Sequence, residues 1–143
     1  MNKLPDLIYS QPLGVLCTSD ENCNPSGATL FYVVKDDKLY SVTHEDSLKV
    51  KHIRNNPNVC LVVSNTVDYQ QAQLYATAKI VEKPQDYLPL IEDAIAEYSK
   101  KTNDFIPYMH ITTEGLAPVV IELTPKRNKS YRPSEGLVEQ DLS

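Results

Sequence analysis

The chain has 143 residues, a net charge of −5 and a pI near 5.1. With 41% hydrophobic and 23% charged residues it has the composition of one globular domain, which excludes a disordered chain. Its acidic balance argues against a nucleic-acid partner and against docking on an anionic membrane, because both need a cationic face.

In chain order, 4-LPDLIYSQ-11 predicts a short amphipathic helix. The segment 14-GVLCTSD-20 follows as a strand ending at the turn ENCNP, and 27-GATLFYVVK-35 reads as a second strand. It meets 38-KLYSVT-43 through Asp36-Asp37, so the three segments predict an antiparallel meander closed by a short polar hairpin loop. A helix comes next, with Asp46 or Ser47 as cap, Val50 and Ile53 as its apolar face, and Pro57 as its stop.

The segments 58-NVCLVVS-64 and 73-QLYATAKIVEK-83 predict two further strands. In 85–101, Leu88, Ile91, Ala94, Ile95 and Tyr98 recur at helical spacing, and Pro89 is tolerated because it lies in the first turn. Residues 102–115 read as a loop or short helix, 117-APVVIELTP-125 as the last strand, and 126–143 as a polar tail. Residues 1–132 are thus expected to form a single domain and 133–143 a flexible end. Short strands with short connections and two substantial helices predict a mostly β, α+β fold, an antiparallel barrel flanked by helices.

Cys17, Cys23 and Cys60 show neither CxxC spacing nor a matching histidine pair, which argues against zinc and against a disulfide framework. The start MNKLPDLIYSQP lacks the apolar core of a signal peptide, and no apolar run reaches membrane-spanning length, so a reducing cytoplasmic setting is expected. Cys17 and Cys60 read as small core residues and Cys23 as an exposed turn residue. Tyr69, Tyr75, Tyr87, Tyr98 and Tyr108 read mainly as packing residues.

The chemistry concentrates around the predicted helix start. Hydroxyls at Thr43 and Ser47 precede Lys49 and Lys51, although a helix N-terminus already carries partial positive charge. On one reading the hydroxyls, the free N–H groups and the Lys49 ammonium converge on a phosphate. On the other, Ser47 is an ordinary cap, the lysines are solvated, and Glu45 and Asp46 satisfy the helix end. His44, in the preceding loop, reads as an exposed residue or a ring-edge group, with exposure favoured.

The ordered set Gly14, Leu16, Thr18, Pro25, Thr43, Ser47, Lys49, Ile53, Asn56, Pro57 and Val59 resembles the FMN-binding split-barrel family related to pyridoxamine 5′-phosphate oxidase. The resemblance is good over residues 10–83 and holds only in outline beyond them. It implies a split β-barrel and a homodimer with FMN at the interface. The phosphate would sit on Thr43, Ser47 and Lys49, with Val42 beside them, and the ring edge on the backbone of Ala28, Thr29 and Leu30. Gln71 or Gln73 would approach the ring from the second copy.

The chain departs from the family pattern in several places. Leu48 stands where the family has arginine, which Lys51 would replace from the next turn, and His52 stands where asparagine is frequent. Near Gly27 and Tyr32 the oxidase itself carries Arg and Lys. It also grips its substrate with a Trp- and Arg-containing C-terminal segment. This chain has no Trp, and Arg127, Lys129 and Arg132 form only a basic stretch. The resemblance therefore implies an FMN-dependent oxidoreductase acting on a small molecule, other than a true pyridoxamine phosphate oxidase, its specificity set by residues 102–115 and the tail. The alternative is a non-catalytic carrier of flavin or haem, for which His110 is a conceivable axial ligand.

Overall fold

Alternation along the strands decides which side chains turn inward. Leu16 and Thr18, then Val59, Leu61 and Val63, then Ala72, Leu74, Ala76 and Ala78 are all buried, each on every second position of its strand. The computed structural model describes residues 3–102 and 117–143. Its elements are α1 (Asp6–Ser10), β1 (Leu13–Ser19), β2 (Pro25–Phe31), β3 (Val33–Lys35), β4 (Lys38–His44), α2 (Leu48–Asn55), β5 (Asn58–Asn65) and β6 (Gln70–Ile80). A 3-10 turn (Pro84–Asp86), α3 (Leu88–Thr102), β7 (Pro118–Arg132) and β8 (Gly136–Asp141) complete them.

The strands form one antiparallel sheet in the order β2-β1-β5-β6-β7-β4-β3, with β8 added to β7. The sheet curls into a split barrel with flanking helices, as the sequence predicts. Leu7 and Ile8 of α1 and Ile53 of α2 join Leu61, Leu74 and Leu123 in the enclosed core. A second cluster lies on the outside of β3, β4 and β7, where Ile91 and Ile95 of α3 cover Val33, Tyr40 and Val120. No helix among the described residues is long and apolar enough to cross a membrane.

Two expectations are corrected. Residues 27–35 are not one strand: the chain breaks at Tyr32, so β2 pairs with β1 while β3 pairs with β4. Tyr32 is buried, its N–H donating to Pro12 O at 3.2 Å and its hydroxyl to Ile8 O at 2.7 Å. Those bonds tie the break to the N-terminal segment rather than to the sheet, and the meander opens there. The Asp36-Asp37 loop does form a tight hairpin, both residues holding positive φ, which aspartate tolerates better than most residues.

The second correction concerns the tail. β7 continues to Arg132, and residues 133–143, expected to be flexible, carry β8. β4 leaves the β7 edge after the pair Leu39 and Leu123, which frees the backbone that β8 then takes from Arg127 to Arg132. That pairing uses main chain, so a strand of mostly exposed residues formed without an alternating apolar pattern to announce it. The expectations for residues 103–116, with His110 and Tyr108, fall outside the described residues.

Candidate functional site

The break at Tyr32 creates a fork. β2 pairs along its whole length with β1 only, whereas Val42, Thr43 and His44 of β4 pair with β7 only. Ser41 Oγ donates to Phe31 O at 2.6 Å where the two strands part. Past that point, among the described residues, each strand has an unpaired backbone edge, a set of N–H donors and C=O acceptors free for a ligand. Ala28 and Thr29 stand on one side, Val42 and Thr43 on the other. Leu30, between them in sequence, turns its side chain into the core.

α2 starts at the head of this fork. Ser47 N–H donates to His44 O at 3.1 Å, and Glu45 N–H to Ala117 O at 3.1 Å, which anchors the turn to β7. Ser47 occupies the N-cap position but makes no cap hydrogen bond, and its Oγ is buried without any partner. A serine there normally accepts from a first-turn N–H, so both the hydroxyl and the helix end are left unsatisfied. Nearby, His44 Nδ1 is also buried without a partner.

Lys49 sits in the first turn, half-buried and, among the described residues, without a hydrogen bond or ion pair. Burial holds its ammonium pKa below the usual lysine value. No acidic residue occupies the first turn of α2. Glu45 spends its carboxylate on Arg54 at the far end of the helix, and Asp46 is exposed. The alternative in which these acids satisfy the helix end is therefore not the one built. Thr43 is buried beside the turn at 3% exposure.

The remaining predicted residues distribute differently. Lys51 is exposed and lies about 200° further round the helix than Lys49, so it does not join the cluster. Leu48, in the arginine position, is 56% exposed. Gln71 and Gln73 are on the outer face of β6, where Gln73 Oε1 accepts from Tyr75 at 3.2 Å; one chain does not bring them to the fork. Cys17 and Cys60 lie opposite each other on that outer face rather than in the core. His44 is half-buried, not exposed. The turn that buries it is fixed by Ala117, distant in sequence, so no local pattern could have revealed it.

The sequence profile of the family described as pyridoxamine 5′-phosphate oxidase matches residues 2–130. The chain belongs to this family. Among solved structures it is similar to a protein related to general stress protein 26 from Clostridium acetobutylicum, at 16% identity and a TM-score of 0.71, covering 96% of this chain and 90% of that one. It is also similar to an FAD-binding protein from Mesorhizobium loti, at 11% identity and a TM-score of 0.65, over 87% of this chain and 88% of that one. A heme binding protein from Mycobacterium smegmatis aligns at 14% identity with a TM-score of 0.68, over 94% of this chain but only 55% of that one. No curated protein matches the chain in sequence. At these identities the structural likenesses speak for the fold of this family member.

Proposed function

We propose that this member of the pyridoxamine 5′-phosphate oxidase family binds FMN at the fork, between two copies of the chain, and uses it as an oxidoreductase on a small molecule. The observation that carries the reading is the buried, partnerless Ser47 Oγ at an uncapped helix end, beside a half-buried Lys49 with no counter-charge. Such a set is costly unless an anion completes it. A flavin phosphate supplies acceptor oxygens for the helix N–H groups and for Lys49, and an acceptor for the Ser47 hydroxyl.

The open edge of β2 at Ala28, Thr29 and Leu30 offers the alternating donors and acceptors that suit a flavin ring edge. When bound, FMN supplies reversible hydride transfer. The chain's own residues hold its phosphate, align its ring and keep water from it. A second copy fits the outer face of β1, β5 and β6, where Leu13 and Val15 are exposed and Val62, Cys17 and Cys60 lie half-buried. Through that face Gln71 and Gln73 of the second copy are the residues we assign to the ring. The free cysteines suit a cytoplasmic setting.

The test is an absorption spectrum and solution mass of purified protein, with and without added FMN. A flavin spectrum on a dimer, bleached by NADH or NADPH, supports the oxidoreductase. Flavin colour without turnover moves the reading to a carrier, and a Soret band moves it to haem, the cofactor named for one structural relative. A monomer that takes up no FMN overturns it.

A further inference from the structure

The strand registers line up one row of residues across the sheet. Cys17 of β1 lies opposite Gly27 of β2 on one side and Cys60 of β5 on the other; Cys60 is in turn opposite Tyr75 of β6, and Tyr75 opposite Arg127 of β7. Cys17 and Cys60 alternate with the buried Leu16, Thr18, Val59 and Leu61, so both sulfurs turn away from the core and stand side by side on the outer face. Both are half-buried free thiols.

Directly opposed residues of antiparallel strands have Cα atoms about 4.5 or about 5.5 Å apart, and both spacings lie within the range of about 4.4–6.8 Å that a disulfide spans. Their Cβ atoms, about 4.5–5.5 Å apart across such a pair, need close by only about 1 Å to reach disulfide geometry. The third cysteine, Cys23, is exposed in the turn between β1 and β2, past the last pair of Ser19 with Pro25, and stands outside the row.

The two flanks of the pair differ. Beside Cys17, Gly27 is exposed and carries no side chain; a methyl placed there would meet Val15 Cγ1 at 3.2 Å and, its chain neighbours aside, no other atom of the described residues within 4 Å. Beside Cys60 the Tyr75 ring closes the row, with the Arg127 guanidinium carbon 4.2 Å from its centre. Burial pushes the Cys60 thiol up to about 11, the neighbouring Cys17 adding to that and Arg127 opposing it. Cys60 is therefore a protonated thiol at neutral pH, and Cys17, approached past Gly27, is the sulfur that an oxidant meets first.

We propose that Cys17 and Cys60 are a modification site, a dithiol that hydrogen peroxide converts to a reversible disulfide within the chain. The Cys17 thiolate attacks one peroxide oxygen: an S–O bond forms, the O–O bond breaks, and the hydroxide that leaves takes up the proton Cys17 had released, giving a sulfenic acid and water. The Cys60 sulfur then attacks Cys17 Sγ. The S–S bond forms, the S–O bond breaks, and the departing hydroxide takes the Cys60 proton as a second water. The two thiols lose two electrons in all, and the peroxide gains them. The inference does not rest on the flavin reading, because neither sulfur belongs to the fork.

The test is treatment of the intact protein with hydrogen peroxide, both as isolated and saturated with FMN, followed by alkylation and non-reducing peptide mapping by mass spectrometry. The expected product, in one or both forms, is a Cys17–Cys60 link within the chain, two hydrogens lighter, with Cys23 alkylated; excess reduced glutathione returns both thiols. In Cys60→Ser the link is lost and dimedone traps a sulfenic acid on Cys17, whereas in Cys17→Ser the Cys60 thiol survives. The same oxidation in denaturant spreads the links over Cys23, which marks the native selectivity as a property of the fold. Should a variant not fold, the map of the native protein decides. Cys17 and Cys60 both alkylated in both forms, links to Cys23 as frequent in the native as in the denatured protein, links between chains only, a sulfenic acid on Cys60 in Cys17→Ser, or a bond that glutathione leaves intact overturns the inference.

Discussion

The two ends of α2 are made of similar residues and built on opposite terms. At the C-terminal end each polar side chain from His52 to Asn56 makes a hydrogen bond or ion pair within the chain. His52 Nδ1 and Thr18 Oγ1 are hydrogen-bonded at 2.9 Å, Asn56 Nδ2 donates to Ser19 Oγ at 2.9 Å, and Arg54 pairs with Glu45. At the N-terminal end Ser47 Oγ, His44 Nδ1 and Lys49 have none among the described residues. One end is satisfied by β1 and serves the fold. The other leaves desolvated polar groups facing an open fork, a cost that folding alone does not explain.

The sharpest way to break this contrast is Lys49→Ala. It should weaken FMN binding about 10- to 100-fold while leaving stability unchanged or slightly raised, measured by flavin fluorescence quenching and thermal melts. Full FMN affinity in that variant would take Lys49 out of the site. Thr18→Val should do the reverse, since it leaves the buried His52 without its partner. A loss of about 1–3 kcal/mol in denaturant unfolding is expected, with little change in flavin affinity.

Ser47→Ala separates the ends more finely. Replacing a serine N-cap by alanine ordinarily costs about 1 kcal/mol, but Ser47 makes no cap bond, so the apo protein should lose less than about 0.5 kcal/mol. FMN affinity should fall a few-fold. A full-sized stability loss without an affinity change would mark Ser47 as a plain cap.

The smallest effect expected is the pH dependence set by Lys49. Its folded pKa lies below the ordinary 10.5, so the folded protein gives up that proton before the unfolded chain does. Below the lowered pKa the charged, half-buried ammonium costs the apo protein stability. As pH rises from there toward 10.5, that cost is relieved and the apo protein gains stability while its hold on FMN weakens. Tyr32, Tyr40 and Cys60, whose pKa values burial raises, pull stability down over the same window. The Lys49 contribution is therefore the difference between the native protein and Lys49→Met in thermal melts and FMN titrations: a gain in stability and a loss of FMN affinity with rising pH.

Much of this architecture is legible along the chain because it follows local periodicity. The alternation in 58–64, the helical spacing of Ile91 and Ile95, and the Asp36-Asp37 hairpin all survive folding, since each side chain meets the face its spacing assigns. Thr43, Ser47 and Lys49 are legible too, because a hydroxyl and lysine cluster at a helix start is unusual on local grounds alone. Gln71 and Gln73 were legible only as polar residues on a strand; their place on the outer face depends on the ladder.

The amino-acid sequence by itself determined the strands, the helices and the hydroxyl and lysine set at the start of α2, for these rest on contacts between near neighbours. Only the tertiary structure decided that Tyr32 divides one apolar run between two edges of the sheet, that Glu45 goes to Arg54, that His44 Nδ1 is buried, and that the polar tail becomes β8. It also decided that Asn128, an unremarkable residue in a basic stretch, ends buried without a partner beside a bulge. The physical reason is the same each time: which backbone edge, carboxylate or amide is left unsatisfied depends on partners distant in sequence, and no spacing rule carries that information.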